Sequence, residues 1–167
     1  MNRTRNQLHL LNMRSATKGV FIIVSLFLFL SGCRLQRVKH NPVKAAFDAN
    51  RFLKSFYFDE DYNQALRLAG EDLQVSTTPD DFKEMLDGIK RQKGGLKILK
   101  ADSYLMTPGA TMELFYTGEY ERGALYHRLV VVGDAASGYR VTGVWFQTEP
   151  YSESQFRRKF DLNILVK

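Results

Sequence analysis

Residues 78–105, TPDDFKEMLDGIKRQKGGLKILKADSYL, change their periodicity at one point, and that point decides the fold. Before Gly94, the apolar residues Phe82, Met85, Leu86 and Ile89 recur at spacings of three and four, the stripe of a helix with one buried face. Thr78 stands where an N-cap belongs and Pro79 at the first helical position; Asp80 and Asp81 face the positive end of the helix dipole. Lys90, Arg91 and Lys93 crowd the negative end before Gly94-Gly95 stops the helix, so these charges read as helix-end chemistry in preference to a binding patch. After Gly95 the apolar period becomes two, which is the period of strands.

Upstream, the helical period continues. Asn41 and Pro42 open a helix whose stripe of Val43, Ala46, Phe47, Phe52, Leu53 and Phe56 runs to about Tyr57. Asp59 or Asp61 restarts a short second helix with Tyr62, Ala65, Leu66 and Ala69 on one side, and Gly70 is expected to close it. Downstream, residues 96–105, 111–120, 125–132 and 139–148 read as four strands joined by turns at Thr107-Pro108-Gly109, Glu121-Arg122-Gly123 and Gly133 to Gly138. Connections this short favour antiparallel neighbours, because a parallel crossover needs a dozen residues or more. Helices first and a meander afterwards give an α+β domain: three helices packed on a curved antiparallel sheet of four or more strands. The tail from Ser152 to Lys167 contains Arg157-Arg158-Lys159 and then Phe160 and Leu162 to Val166; it is open to reading as an edge strand, a small helix or a partner-binding segment.

The N-terminus has a different character. Residues 1–18 carry Arg3, Arg5, Arg14 and Lys18 and no acid, followed by an apolar run from Gly19 to Leu30. A run of this length falls short of the roughly 20 residues that span a bilayer's hydrocarbon, and fits the h-region of an export signal. It ends in Leu30-Ser31-Gly32-Cys33, which resembles the lipobox of bacterial lipoproteins. The resemblance implies cleavage between Gly32 and Cys33, lipid on Cys33 and a membrane held through that lipid. Residues 1–32 are then a signal peptide, 33–41 the lipidated cysteine and its tether, 42–150 the folded domain and 151–167 a C-terminal extension. It also implies a cell-envelope location, facing the periplasm if the cell is Gram-negative. Arg34 stands where some such bacteria place the Asp that retains lipoproteins in the inner membrane, which leans the reading to the outer one. The basic tether Arg34 to His40 is either a solvated linker or an attraction to anionic headgroups, worth about 1 kcal/mol per basic residue at such a surface.

The whole chain has a formal net charge of +6, but its first 32 residues hold four basic and no acidic ones, leaving 20 basic against 18 acidic. That near-balance argues against nucleic acid as a partner. Cys33 is the only cysteine, so internal disulfides, thiolate metal sites and thiol catalysis are all excluded.

Residues 47–148 resemble the nuclear transport factor 2-like superfamily, the cone-shaped fold shared with ketosteroid isomerase and scytalone dehydratase, and within it small secreted or lipid-anchored bacterial families. The carrying pieces are Phe56 to Leu68, Ser76 to Ile89, Arg91 to Leu96, Gly118-Glu119-Tyr120 and the stretch Gly138 to Phe146. In such families the last strand often reads Gly-X-Trp-Arg-Val-X-Gly; here Tyr139 replaces the Trp. The resemblance implies a pocket between sheet and helices. Strand parity groups Met112, Leu114 and Tyr116, His127 with Leu125, Leu129 and Val131, and Trp145 with Tyr139, Val141 and Gly143. Tyr116, His127 and Trp145 are thus the candidate pocket residues. An isomerase needs a carboxylate base there, but Glu113 has the opposite parity and Asp102 an undecided one. The histidines are His9, His40 and His127, with no metal-ligand spacing, and no phosphate-binding or nucleophile motif occurs. No cofactor, metal or catalytic residue is expected. The reading that remains is a non-catalytic domain binding a protein partner in an envelope assembly; the alternatives are a carrier of a small apolar ligand and, behind it, a pocket enzyme of isomerase or dehydratase type.

Overall fold

The computed structural model describes residues 38–167, which form one compact unit. Asn41 caps helix α1 (Pro42–Tyr57) by accepting from the Lys44 amide at 3.0 Å. Asp61 does the same for α2 (Tyr62–Leu68), through the Gln64 amide at 2.8 Å. Thr78 and Asp81 start α4 (Pro79–Lys93) with a reciprocal capping box, each side chain accepting from the other's amide. The Thr78 hydroxyl, and after it the Thr78 amide, donate to the Asp81 carboxyl and hold it below its ordinary pKa. Gly94 ends α4 at φ 76°, a conformation that favours glycine.

Between α2 and α4 lies a helix the sequence did not announce, α3 (Glu71–Ser76). Gly70 therefore does not close α2. It stands in extended conformation ahead of α3, donates its amide to the Val141 carbonyl at 2.8 Å, and lies so near the sheet that a β-carbon would sit 2.6 Å from Thr142. Its smallness serves a close approach of backbone to strand. Phe47 also departs from expectation: it points to solvent, and the buried stripe of α1 consists of Ala45, Ala46, Ala49, Phe52, Leu53 and Phe56. The alanines let the first half of α1 lie close to the sheet. In the second half Phe52 and Phe56 meet Phe82 of α4 edge-on at 5.8 and 5.4 Å.

The strands β1 (Leu96–Met106), β2 (Thr111–Tyr120), β3 (Gly123–Asp134), β4 (Gly138–Gln147) and β5 (Arg158–Leu165) form one open antiparallel sheet in the order β4-β3-β2-β1-β5. The architecture is α+β, with the helices on the inner face. Ladder β2–β3 runs without interruption, whereas β1 carries a bulge at Asp102 and β4 one at Thr142. Each bulge inserts a residue, bends its strand and exchanges the faces beyond it. Opposite Asp102, β5 makes a larger excursion, since Lys159 pairs with Ser103 and Ile164 with Ala101.

Residues 151–167 thus supply the edge strand of the domain. Because β4 and β5 occupy opposite edges, the segment 148–157 must cross the sheet, and it does so on the outer face. Tyr151 packs edge-on against Phe115 of β2 at 5.5 Å, and the Arg157 guanidinium lies 4.0 Å from the same ring. Phe115, though it points away from the helices, is only 6% exposed. Ending the chain at Pro150 removes this strap, uncovers β1 and deletes the buried Ile164 and Val166. At about 1.5–3 kcal/mol for each large apolar side chain, these two alone remove about 3–6 kcal/mol of the roughly 5–15 kcal/mol that holds a domain together, and the lost β1 pairing and strap contacts add to it. The truncated protein is expected to show no cooperative thermal transition and to elute as aggregate in size-exclusion chromatography; a soluble monomer with an unchanged melting point contradicts this role of the tail.

Candidate functional site

On the inner face, α1 brings Asn50 and Tyr57 to the sheet because both continue the spacing of Ala46 and Leu53. β2 brings Tyr116 and Tyr120, and β3 brings His127 directly opposite Tyr116 in the ladder. The Tyr116 hydroxyl donates to Asn50 Oδ1 at 3.0 Å, and Asn50 Nδ2 donates to the Leu165 carbonyl at 3.1 Å. Tyr57 Oη lies 2.8 Å from His127 Nε2 and Tyr120 Oη 3.4 Å from the same nitrogen. With the proton on Nδ1, the one lone pair of Nε2 accepts from the Tyr57 hydroxyl, and the Tyr120 hydroxyl stands as the longer, second contact. Nδ1 itself is buried with no well-aligned partner, although the Leu125 and Tyr116 carbonyls are close enough to favour a proton on the ring. Gly118 makes room for the imidazole, since a β-carbon there would lie 2.9 Å from Cε1. Phe146 and Tyr57 close over it edge-on at 5.2 and 5.6 Å.

Burial sets the electrostatics of this cluster. It lowers His127 to about 4, the two carbonyls offsetting only part of the effect, so the ring is neutral at pH 7. Burial likewise raises Tyr116 and Tyr57 far above the ordinary phenol range and Tyr120 to about 12. The result is a set of neutral groups bonded to one another. A general base must reach a substrate proton, and His127 is 0% exposed behind aromatic rings. Neither acid considered above joins it: Glu113 pairs with Arg128 on the outer face at 2.8 Å, and Asp102 at the β1 bulge accepts from the Thr117 hydroxyl.

An open concavity lies on the other side of the sheet. Beneath the strap and beside the β5 excursion runs a groove of about 700 Å³, lined by Asp102, Thr117, Tyr151, Arg157, Phe160 and Leu162 among others. Arg157 Nε donates to Ser103 Oγ at 2.6 Å and Nη1 to the Tyr151 carbonyl at 3.0 Å. Burial lowers its pKa, with Asp102 and Glu153 pulling the other way; a guanidinium nevertheless keeps its charge. Leu162 at the groove and Phe156 in the strap are 57% and 67% exposed.

Tyr116 and His127 are therefore brought together in the interior. Trp145 is not with them: the bulge at Thr142 turns it to the outer face, where its ring covers Gly143, Arg128 lies 5.0 Å above, and 47% of it is exposed. Val144 and Phe146 take the inward places. Gly32 and Cys33 lie outside the described residues. Sequence reasoning missed Asn50, Tyr57, Tyr120 and Arg157. Asn50 was the most accessible of these, as a polar residue at core spacing in an apolar stripe. Among the described residues, no three His, Cys, Asp or Glu side chains gather to hold a metal, and no helix is long and apolar enough to cross a membrane.

Fold and site together define an α+β domain with a filled, helix-covered interior and an open groove on the uncovered side of its sheet. No family model matches the chain, and neither the curated proteins nor the solved structures provide a match.

The buried imidazole carries a pH signature. Its folded pKa of about 4 lies below the ordinary 6.5, so the unfolded chain binds the proton first. Stability is complete above pH 6.5 and is lost as pH falls towards 4, by about 3 kcal/mol at most. Thermal melts across this range should fall more steeply for the native protein than for His127→Gln, which has no imidazole to titrate; parallel curves would show that His127 is not the group responsible.

Proposed function

We propose that the protein is a lipid-anchored component of a bacterial cell envelope whose domain is non-catalytic and binds a protein partner. The anchor reading rests on Leu30-Ser31-Gly32-Cys33 at the end of an apolar run with basic residues before it. The partner reading is carried by one contrast: the interior polar groups are buried and spent on each other, while the outer groove is lined by Arg157, Tyr151 and the exposed Leu162. Tyr, Trp and Arg side chains are enriched among the anchors of protein recognition, and Tyr151 and Arg157 stand together in this groove. A membrane anchor concentrates such a domain at the envelope surface and raises the effective concentration of any partner held there. We also read the architecture as nuclear transport factor 2-like, on the strength of helices gathered on one face of an antiparallel sheet bent by bulges at Asp102 and Thr142. An apolar-ligand carrier needs a hollow interior, and Phe52, Phe56, Tyr116 and His127 occupy that space.

Two measurements test this. Cys33→Ser should leave the protein at precursor size and, once the envelope is washed, largely in the soluble fraction; unchanged processing and retention would remove the lipid anchor. A photoreactive residue at Leu162 should capture one discrete envelope protein in cells, with a several-fold lower yield when Arg157→Ala is added. A yield indifferent to Arg157, or capture only of lipid, would turn the groove reading aside.

A further inference from the structure

The start of the domain is pinned at one end of the sheet. The Lys39 carbonyl accepts from the Ala135 amide at 3.0 Å, in the β3–β4 turn. His40 Nε2 lies 2.9 Å from the Gly109 carbonyl, in the β1–β2 turn, and the Asn41 amide donates to the Tyr139 hydroxyl at 2.8 Å. The two turns are themselves joined, Gly133 donating to the Ala110 carbonyl at 2.9 Å. Only five residues, Arg34 to Val38, separate Cys33 from Lys39, so the two α-carbons can be no more than about 20 Å apart. The opposite end of the sheet, at the β2–β3 turn Glu121-Arg122, lies a full strand away, about 30 Å further for the ten residues of β2.

The two turns of the pinned end carry little charge of their own. The turn residues Thr107 to Ala110 are uncharged, and Met106 and Val132 beside them are more than a third exposed. In the other turn the single charge is Asp134, at the surface, whose Oδ1 is engaged by the turn itself: it accepts from the Ala136 and Ser137 amides and the Ser137 hydroxyl. Arg34, Arg37 and Lys39 stand in the tether that leads here. The opposite end presents Glu119, Glu121 and Arg122, with Lys90, Arg91 and Lys93 of α4 packed beside the turn, so the length of the tether and not the charge of the two ends selects which one meets the surface. We propose that the end of the domain formed by the turns 107–110 and 134–138 rests on an anionic lipid surface, drawn there by the short basic tether. The proposal depends on the anchor reading given above and adds an orientation to it: the strands stand away from the bilayer, and the β2–β3 turn faces outward.

Trp145 is the only tryptophan, so a single reporter can be moved at will. In a Trp145→Phe background, Pro108→Trp, Ala136→Trp and Arg122→Trp each place one exposed indole at a chosen end. The full-length processed protein, reconstituted in vesicles of phosphatidylethanolamine and phosphatidylglycerol with brominated acyl chains, is compared with the same protein in unbrominated vesicles. Pro108→Trp and Ala136→Trp should lose most of their fluorescence and Arg122→Trp should keep nearly all of it. Equal quenching at both ends, quenching only at Arg122→Trp, or none anywhere overturns the orientation. The intact mass of the same preparation separates the two ideas. Lipid on Cys33 with the wrong quenching pattern removes only the orientation; a bare Cys33 overturns the anchor reading and this proposal with it.

Discussion

One side chain ties the three parts of the domain together. Asn50 accepts from the Tyr116 hydroxyl in the central strand and donates to the Leu165 carbonyl in the last one, while its own backbone belongs to the first helix. The bond to Tyr116 is buried, so losing it leaves a buried polar group unsatisfied, at about 1–3 kcal/mol. An apolar residue at position 50 would leave Tyr116 Oη with only the Ala46 carbonyl at 3.4 Å. Helix, meander and tail are each positioned by reference to this amide. The polarity of position 50 is thus a device of architecture, despite its place in the interior where a pocket would lie.

The same reasoning explains why the interior is rich in groups that catalysis often uses without having the means to use them. Tyr57, Tyr120 and His127 share one nitrogen, and burial holds all three in their neutral forms. A cluster of neutral hydrogen-bonding groups in a low-dielectric setting rigidifies a core and specifies one arrangement of it. On the outer face the situation reverses. There Arg157 and Arg128 retain charge, lie against Phe115 and Trp145, and are reachable from solvent.

Much of the fold can be read from sequence because period is a local property. The change at Gly94-Gly95, the proline-led helix starts and the turns of the meander all announce themselves within a few residues. Strand parity was readable in β2 and β3, which pair without a break, and it put Tyr116 and His127 together correctly. It failed in β4, where one extra residue at Thr142 exchanges the faces and carries Trp145 outward. A bulge is settled by the partner strand and by what packs over it, and neither Thr142 nor Asp102 carries a mark of it. The groove was illegible for the same reason: Arg157 reads as one of three successive basic residues until Phe115, far away in sequence, supplies the ring beneath it. The lipobox-like stretch Leu30 to Cys33 is the opposite case, an expectation from sequence that lies outside the described residues.

The strap across the sheet also orders the events of folding. Strands β1 to β4 pair with sequence neighbours, whereas β5 returns to β1 across more than fifty residues, and Asn50 meets Leu165 across 115. Closing loops of that length costs entropy before any contact rewards it, so the meander forms a platform and the terminal strand arrives late. Until it arrives, β1 presents an unpaired edge and Phe115 an uncovered ring, the surfaces from which aggregation begins. A chain that emerges from its N-terminus therefore carries an open β1 edge until Arg158 to Leu165 have been made.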